Sequence, residues 1–264
     1  MLLKEELFKT FKSKKSLLLF MYLMLVAFAD NIIGVMQKKG FGPFGGYPNV
    51  HPMFMSLLSG QAYFGLCALF FWIAPVTITL LYCWRYVQEN KNRMNYVYLS
   101  KVGRKKYFLS KLFCSFVVSV IYFGIPLIVN LLVAMICLNG GTSFQGLEEF
   151  SVYDFDSMSR HYLVAHPYIG WSVYFVVAMV VLGLAGVMAQ CIGMLSKDIK
   201  VTLLISFAIW ISMFSLKYDL TMAIQPFTEY GVVYMGMALL TYVPIVIVTV
   251  ILAYIFTVVK KDEI

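Results

Sequence analysis

The stretch RYVQENKNRMNYVYLSKVGRKKYFLSK, residues 85–111, separates two long apolar runs and orients the rest of the chain. It holds 8 of the chain's 21 Lys and Arg residues against a single acid, Glu89. Because short loops rich in Lys and Arg stay on the cytoplasmic side of a membrane, we expect this segment to lie inside the cell. Every other segment can be placed relative to it.

Within this stretch, apolar side chains recur near helical spacing between Met94 and Val102. The pattern predicts a short helix on the cytoplasmic face, with Asn90 or Asn92 capping its start and Gly103 ending it. Such a short helix is marginal in water by itself, and its apolar stripe must be covered. We therefore expect the stripe to contact a partner.

The composition indicates a polytopic membrane protein. The chain has 264 residues, 61% of them hydrophobic, and a mean hydropathy of +0.81. Its net charge of +8 collects in short loops, as membrane topology requires, so we predict no nucleic-acid partner. The five cysteines lie within or at the edges of apolar segments, which favours neither a disulfide framework nor a metal site.

Six apolar segments predict an all-α fold with six transmembrane helices in a single transmembrane domain, residues 1–264. The predicted spans cover about residues 17–36, 61–84, 112–138, 169–195, 201–216 and 233–259. Residues 2–15 predict an amphipathic elbow helix along the inner leaflet. Because most of the remaining cations precede span 1 or follow spans 4 and 6, both termini are predicted to be cytoplasmic in a multi-pass protein of the cell membrane.

The N-terminal segment has an alternative interpretation as a signal peptide. Ala27-Phe28-Ala29 resembles a cleavage site after an apolar run. The run continues through Val35, and this favours an uncleaved first span.

Polar side chains inside the spans predict a candidate substrate path made of Asp30, Asn31 and Asn130. A carboxylate within a membrane marks a functional site by default. The alternative places Asp30 at the level of the outer headgroups. Asn130 has a second interpretation as a hydrogen-bonding residue between helices.

Span 4 carries small residues at intervals of about four, which allow another helix to approach closely. The predicted helix-packing residues are Gly183, Ala185, Gly186, Ala189 and Gly193.

Residues 139–167 predict an outer acidic loop with Glu148, Glu149, Asp154 and Asp156 as a candidate outer contact for substrate. Their negative field could attract a cationic amphipathic substrate such as an antimicrobial peptide. Alternatively, acids populate an outside loop because cations are excluded from it. His161 and His166 in this loop match no metal-ligand spacing, so we predict no metal site.

Sequence motifs for hydrolysis are absent. The chain contains no GxxxxGK[ST] phosphate loop, no HExxH and no GxSxG. We therefore predict no catalytic residue and no hydrolysis of ATP by this chain itself.

The whole arrangement resembles the permease subunit of a type-2 ABC exporter, with an N-terminal elbow, six spans, a basic loop between spans 2 and 3 and a broken outer segment between spans 5 and 6. Such permeases tend to carry a Glu, a short apolar helix, and an Arg followed seven residues later by a Lys at the start of span 3. Glu89, the helix from Met94 to Val102, Arg104 and Lys111 stand at matching places. The ending FTVVKKDEI also resembles the family's pattern after the last span.

The resemblance implies that the short helix is a coupling helix, driven by separately encoded ATPase subunits. The implied coupling residues are Glu89, Met94, Val97, Tyr98, Val102, Arg104 and Lys111. The implied partners are two ABC ATPase subunits, a second copy of the permease or a homologous one, and membrane lipid. ATP and Mg would bind to the ATPase subunits, with no cofactor in this chain.

The function implied by the resemblance is export of a peptide or another amphipathic, lipid-like substrate. A secondary transporter or channel subunit is the first alternative, although the two halves of the chain show no internal similarity. An intramembrane enzyme is the second, and it would need several ionisable residues at one depth.

Overall fold

The computed structural model describes residues 2–40, 49–144, 157–227 and 230–259. These residues are predominantly helical, and a bridge between Val50 and Ser143 is the one extended pairing found among them. The all-α fold predicted from hydropathy is therefore confirmed over the described part of the chain.

The described ranges contain twelve α-helices. They are α1 (Leu2–Phe11), α2 (Lys14–Lys38), α3 (Phe64–Phe71), α4 (Ala74–Ile78), α5 (Trp84–Lys91), α6 (Met94–Val102), α7 (Arg104–Cys137), α8 (Ser157–Ala165), α9 (Pro167–Ser196), α10 (Ile199–Met213), α11 (Thr221–Ile224) and α12 (Val232–Tyr254). A π-helical turn, Thr79–Cys83, joins α4 to α5, and another, Ile255–Val259, extends α12.

Five helical runs in the described ranges are long and apolar enough to cross a membrane by length and composition. They are α2, the run Phe64–Lys91, α7, α9 and the run Val232–Val259. These runs indicate a membrane protein. The predicted fifth span corresponds to α10, which is apolar but has only 15 residues, fewer than the roughly 20 that a span needs. The count of six spans therefore stays a prediction.

Two short helices differ from the pattern expected at the ends of spans. The segment 2–15, predicted as one elbow helix, is divided, because α1 ends at Phe11 and α2 begins at Lys14. The segment 139–167, predicted as a loop, contains α8. Leu163 of α8 is buried and packs over Gly170 in the first turn of α9, and this contact anchors the helix.

The second apolar run is broken between α3 and α4 at Pro75. Proline has no N–H to donate to the carbonyl four residues earlier, which belongs to Phe71. The indole N–H of Trp210 in α10 donates to that carbonyl over 2.9 Å, and Trp210 is fully buried. Because an unpaired carbonyl is costly in an apolar interior, this bond attaches α10 to the break in the second run.

The segment between α2 and α3 also enters the bundle, although it is not helical. Residues 50–60 are nearly all buried, so their backbone polar groups need partners. Asn130 of α7 accepts a hydrogen bond from the Leu57 N–H at 2.8 Å, and the Trp171 indole of α9 donates to Ser56 at 3.0 Å. The segment is thus held by α7 and α9 together.

Close packing of α7 on α9 uses the small residues predicted for helix contact. Ser115 of α7 donates to the carbonyl oxygen of Gly186 over 2.6 Å, and Phe116 covers Gly183. Ala185 and Ala189 are fully buried, and Gly193 lies against Thr202 of α10. The small size of glycine and alanine at these positions lets the helices approach closely.

We predict that Gly186→Ala destabilises the protein. The added Cβ would overlap Ser119 Oγ and lie 2.9 Å from the Ser115 carbonyl oxygen, and backbone cannot move aside cheaply. Thermal unfolding in detergent should show a lower midpoint for this variant. Gly236→Ala in α12 is the matched control, since no atom lies within 4 Å of the added Cβ. Equal midpoints for the two variants would contradict the close packing.

Candidate functional site

A buried ammonium group joins three separate parts of the chain at one end of the bundle. Lys111, in the second turn of α7, is 1% exposed. Its Nζ lies 2.9 Å from Glu6 Oε1 of α1 and 2.8 Å from Glu89 Oε2 of α5. We call Lys111, Glu6 and Glu89 the ion cluster, and the end of the bundle that contains it the α6 end.

Neighbouring side chains complete the charge balance of the ion cluster. Arg85, one turn before Glu89 on α5, places its Nε 3.3 Å from Glu89 Oε1. Two cations therefore face two carboxylates. The rings of Tyr82 and Tyr107 lie 5.8 and 5.5 Å from the Lys111 ammonium, so aromatic faces add cation–π attraction.

Helix α1 buries polar side chains in the bundle beside the half-buried Leu7. Glu6 and Thr10, one turn apart, are each 2% exposed, and the Thr10 hydroxyl donates to the Glu6 carbonyl oxygen over 2.9 Å. Phe8 and Phe11 on the same helix are exposed. Phe11 also stacks on Tyr122 of α7, so α1 contacts the bundle through an aromatic ring as well as through the acid that reaches the ion cluster.

The short helix α6 is connected to α7 through a second set of polar contacts. Tyr107 of α7 donates its hydroxyl to Asn95 Oδ1 over 2.9 Å, and Asn95 Nδ2 donates to Asn90 Oδ1 over 3.1 Å. The ring of Tyr98 stacks on that of Tyr107, with centroids 6.3 Å apart. Lys9 of α1 donates to the Tyr98 hydroxyl over 3.4 Å.

The ends of α6 are only partly as predicted. Gly103 follows the helix with φ +82°, a conformation that glycine adopts without strain, so the predicted stop is confirmed. The predicted Asn cap is wrong. Arg93, with φ +57°, precedes the helix, Asn90 is used by Asn95, and Asn92 follows the end of α5.

The residues predicted for coupling lie in different surroundings in the structure. Glu89 and Lys111 meet in the ion cluster, and Arg104 lines a cavity of about 40 Å³ with Asn95. Met94 is 50% exposed on the outside of α6, while Tyr98 and Val102 are half-buried. The side chain of Val97 lies outside the described part of the structure.

Glu6 and Asn95 are site residues that sequence reasoning missed. The amphipathic pattern of residues 2–15 does not by itself indicate that Glu6 is buried. The available signal was the position of Lys111, because a cation at the start of an apolar run needs a carboxylate partner.

The candidate substrate path lies away from the ion cluster, towards the other end of α2 and α7. Asp30 is 0% exposed, and its Oδ2 accepts a hydrogen bond of 3.1 Å from Asn130 Nδ2. The same amide group donates to the Ala27 carbonyl oxygen over 2.9 Å. Asp30 Oδ1 and Asn31 Nδ2 have no hydrogen-bond partner among the described residues. Asn130 thus connects helices, and a role in a substrate path stays a prediction.

The candidate outer contact for substrate was predicted in the acidic loop, residues 139–167. Glu148, Glu149, Asp154 and Asp156 lie outside the described residues. Within the described ranges, no group of three or more His, Cys, Asp or Glu side chains is arranged to hold a metal ion.

Comparison with known proteins gives one relative of similar length. The chain is 26% identical over 230 residues to "Uncharacterized protein YybM" of Bacillus subtilis (strain 168), and the match covers 87% of each chain. No family model and no solved structure matches the chain. The name of the relative states no activity, so the functional proposal depends on the geometry of the site.

We predict that Lys111→Met lowers the free energy of unfolding by about 3–5 kcal/mol, because it leaves Glu6 and Glu89 as buried carboxylates without their ammonium partner. Chemical unfolding in mixed micelles would measure the loss. Combining it with Glu6→Gln and Glu89→Gln should recover most of the stability, since the buried charge is then removed.

The control is Lys105→Met, which replaces an exposed lysine in the first turn of the same helix. Equal stability of Lys105→Met and Lys111→Met would show that the ion cluster contributes nothing to folding.

Proposed function

We propose that this chain is the permease subunit of an ABC exporter and that α6 is its coupling helix. The single observation that carries the proposal is the ion cluster, which ties α1, α5 and α7 together beside α6. A helix that receives force from a partner must be rigidly connected to the spans that move. Here that connection involves Glu89 and Lys111, two of the residues that the family resemblance singled out.

The proposed topology has six spans with both termini in the cytoplasm. α1 serves as the elbow, and α10 forms a short fifth span. Its 15 residues rise about 22 Å, less than the hydrocarbon core. The following segment, which includes α11, would complete the outer part of this crossing, because Leu220, Met222 and Ile224 are buried in the bundle.

The proposed mechanism is mechanical. Closure of two ATPase subunits around ATP and Mg presses on the exposed face of α6. The contacts of Tyr107 with Asn95 and Tyr98 carry the displacement into α7, and the ion cluster carries it into α1 and α5. The spans of this chain and of a second permease subunit then alternate between inward-facing and outward-facing arrangements.

The substrate class that we propose is a peptide or another amphipathic molecule. A groove of about 330 Å³ between α2 and α7 supports it, with apolar lining from Phe28, Ile32 and Val133 and with Asn31 as its buried polar residue. Lys39 lines one edge of this groove. Export of an antimicrobial peptide is one case within this class.

A secondary transporter is the second candidate, favoured by Asp30. A fully buried carboxylate without a cation partner among the described residues is typical of proton-carrying or ion-carrying sites. Purification separates the two candidates, because a secondary transporter needs no ATPase subunit.

We predict that affinity purification of the chain from its native membranes recovers an ATP-hydrolysing subunit and that Met94→Asp prevents this recovery. Met94 is half-exposed on α6, so a carboxylate there leaves the fold intact but is costly when buried in a protein contact. The measurements are the yield of ATPase per permease and the ATPase activity of the complex.

Lys200→Asp is the control, since Lys200 is exposed in the first turn of α10 at the same end of the bundle. Permease that purifies without any ATPase, or a Met94→Asp complex as active as the Lys200→Asp complex, would rule out this function for α6.

A further inference from the structure

An open groove at the α6 end of the bundle has an apolar floor and a basic rim. Its volume is about 560 Å³, and it lies between the start of α2, the run from Leu80 to Lys91 and the first residue of α10. The floor is formed by Leu18, Leu19, Leu80, Val87 and Ile199. Lys15, Lys91 and Gln88 supply the polar groups, and none of the lining residues is an acid.

The position of one rim lysine is fixed by an aromatic ring. Lys15 Nζ lies 3.8 Å from the centroid of the Trp84 indole, which also lines the groove. This cation–π contact holds the ammonium of α2 over α5. Lys91 is the last residue of α5, so the two cations stand on opposite helices of the same groove.

Asp198, before α10, is an acid that interacts with the rim through the charge of Lys91. The backbone N–H of Lys200 donates to its carboxylate, which lowers the pKa of Asp198, and the charge of Lys91 lowers it further. No carboxylate among the described residues forms an ion pair with Lys15 or Lys91. The rim therefore keeps an excess of positive charge.

We propose that this groove binds one anionic phospholipid of the inner leaflet, with an acyl chain on the leucine floor and the phosphate between Lys15 and Lys91. The assignment of the leaflet rests on the cytoplasmic orientation given under the proposed function. Charge complementarity supports this occupant, because the inner leaflet carries the negative surface potential of a membrane and basic pockets between helices bind its headgroups. Leu18 is 68% exposed, so the floor is open to an acyl chain.

Charge argues against a second copy of the chain as the occupant. A two-fold contact through this groove would place it against its own equivalent and bring the four rim lysines of the two copies together. Like charges in a desolvated contact are unfavourable. An anionic lipid neutralises the same groups.

The bound lipid would act on the coupling region. Lys91 precedes Met94 by one short turn, and Lys15 lies in the first turn of α2 just after the elbow. A phosphate held by both lysines fixes α2 relative to α5 next to α6. The groove is therefore a site where membrane composition regulates the stability of the coupling end.

The test uses the full chain purified in a neutral detergent and titrated with phosphatidylglycerol or phosphatidylcholine. Native mass spectrometry counts bound lipids, and thermal unfolding measures stabilisation. We expect phosphatidylglycerol to bind with the higher affinity. The double variant Lys15→Gln with Lys91→Gln should bind it roughly 30-fold more weakly, the effect expected from two lysines at a membrane surface.

Two further double variants separate a specific site from general charge. Lys14→Gln with Lys101→Gln removes the same charge from exposed lysines outside the groove and should bind as the unaltered chain does. Lys15→Arg with Lys91→Arg keeps both cations and should retain binding. This variant tests whether substitution at the two positions disrupts the fold when the charge is kept.

Three results would overturn the proposal. The first is an equal loss of lipid affinity in the groove and control variants. The second is stabilisation of the protein by glycerol phosphate alone. The third is a groove variant that changes the amount of dimer and leaves the number of bound lipids unchanged. Because the assay contains no ATPase, its outcome is independent of whether an ATPase copurifies with the chain.

Discussion

Burial of the Lys111 ammonium is the constraint on which the α6 end of the molecule depends. An ammonium at the start of an apolar helix is costly to desolvate unless carboxylates surround it. Two acids meet this need from different segments, Glu6 from α1 and Glu89 from α5. Helix α1 must therefore fold back onto the bundle, and α5 must end beside α7. The placement of α6 follows from these contacts.

The interior of the bundle obeys a related rule, which applies to backbone groups. Pro75 frees the carbonyl of Phe71, and the indole of Trp210 pairs with it. Asn130 pairs with both the Ala27 carbonyl and the Leu57 N–H, so a non-helical segment can lie among apolar helices. Glycines on α9 bring it close to α7, where Ser115 donates to the Gly186 carbonyl oxygen. A membrane interior without water makes each of these pairings necessary.

The structural features that depend on residues close in sequence could be predicted from the local sequence pattern. The apolar runs, the position of α6 and its end at Gly103 follow from hydropathy, helical spacing and the freedom of glycine. Contacts between residues far apart in sequence could not be predicted from the local pattern. Glu6 lies 105 positions before Lys111, and nothing on α1 itself marks it as buried. The predicted Asn cap is wrong because the side chain of Asn90 accepts a hydrogen bond from Asn95, and helix propensity does not predict this side-chain contact.

Function was predicted by resemblance, and the geometry adds a physical reason for two of its residues. Glu89 and Lys111 stand 22 positions apart and form one ion pair, so the ends of two apolar runs are bound together around α6. The outer acids and the side chain of Val97 lie outside the described residues, and their roles stay predictions. The groove between Lys15 and Lys91 involves α2, α5 and α10, so no single stretch of sequence could indicate it.

The most direct test of α6 as a coupling helix is site-specific photocrosslinking in native membranes. A photoreactive phenylalanine analogue would replace Met94 in one strain and Lys200 in another. We predict that irradiation joins the chain to an ATP-binding subunit from position 94 and yields much less of this adduct from position 200. Adducts that contain only lipid or another copy of this chain from position 94 would contradict the coupling role.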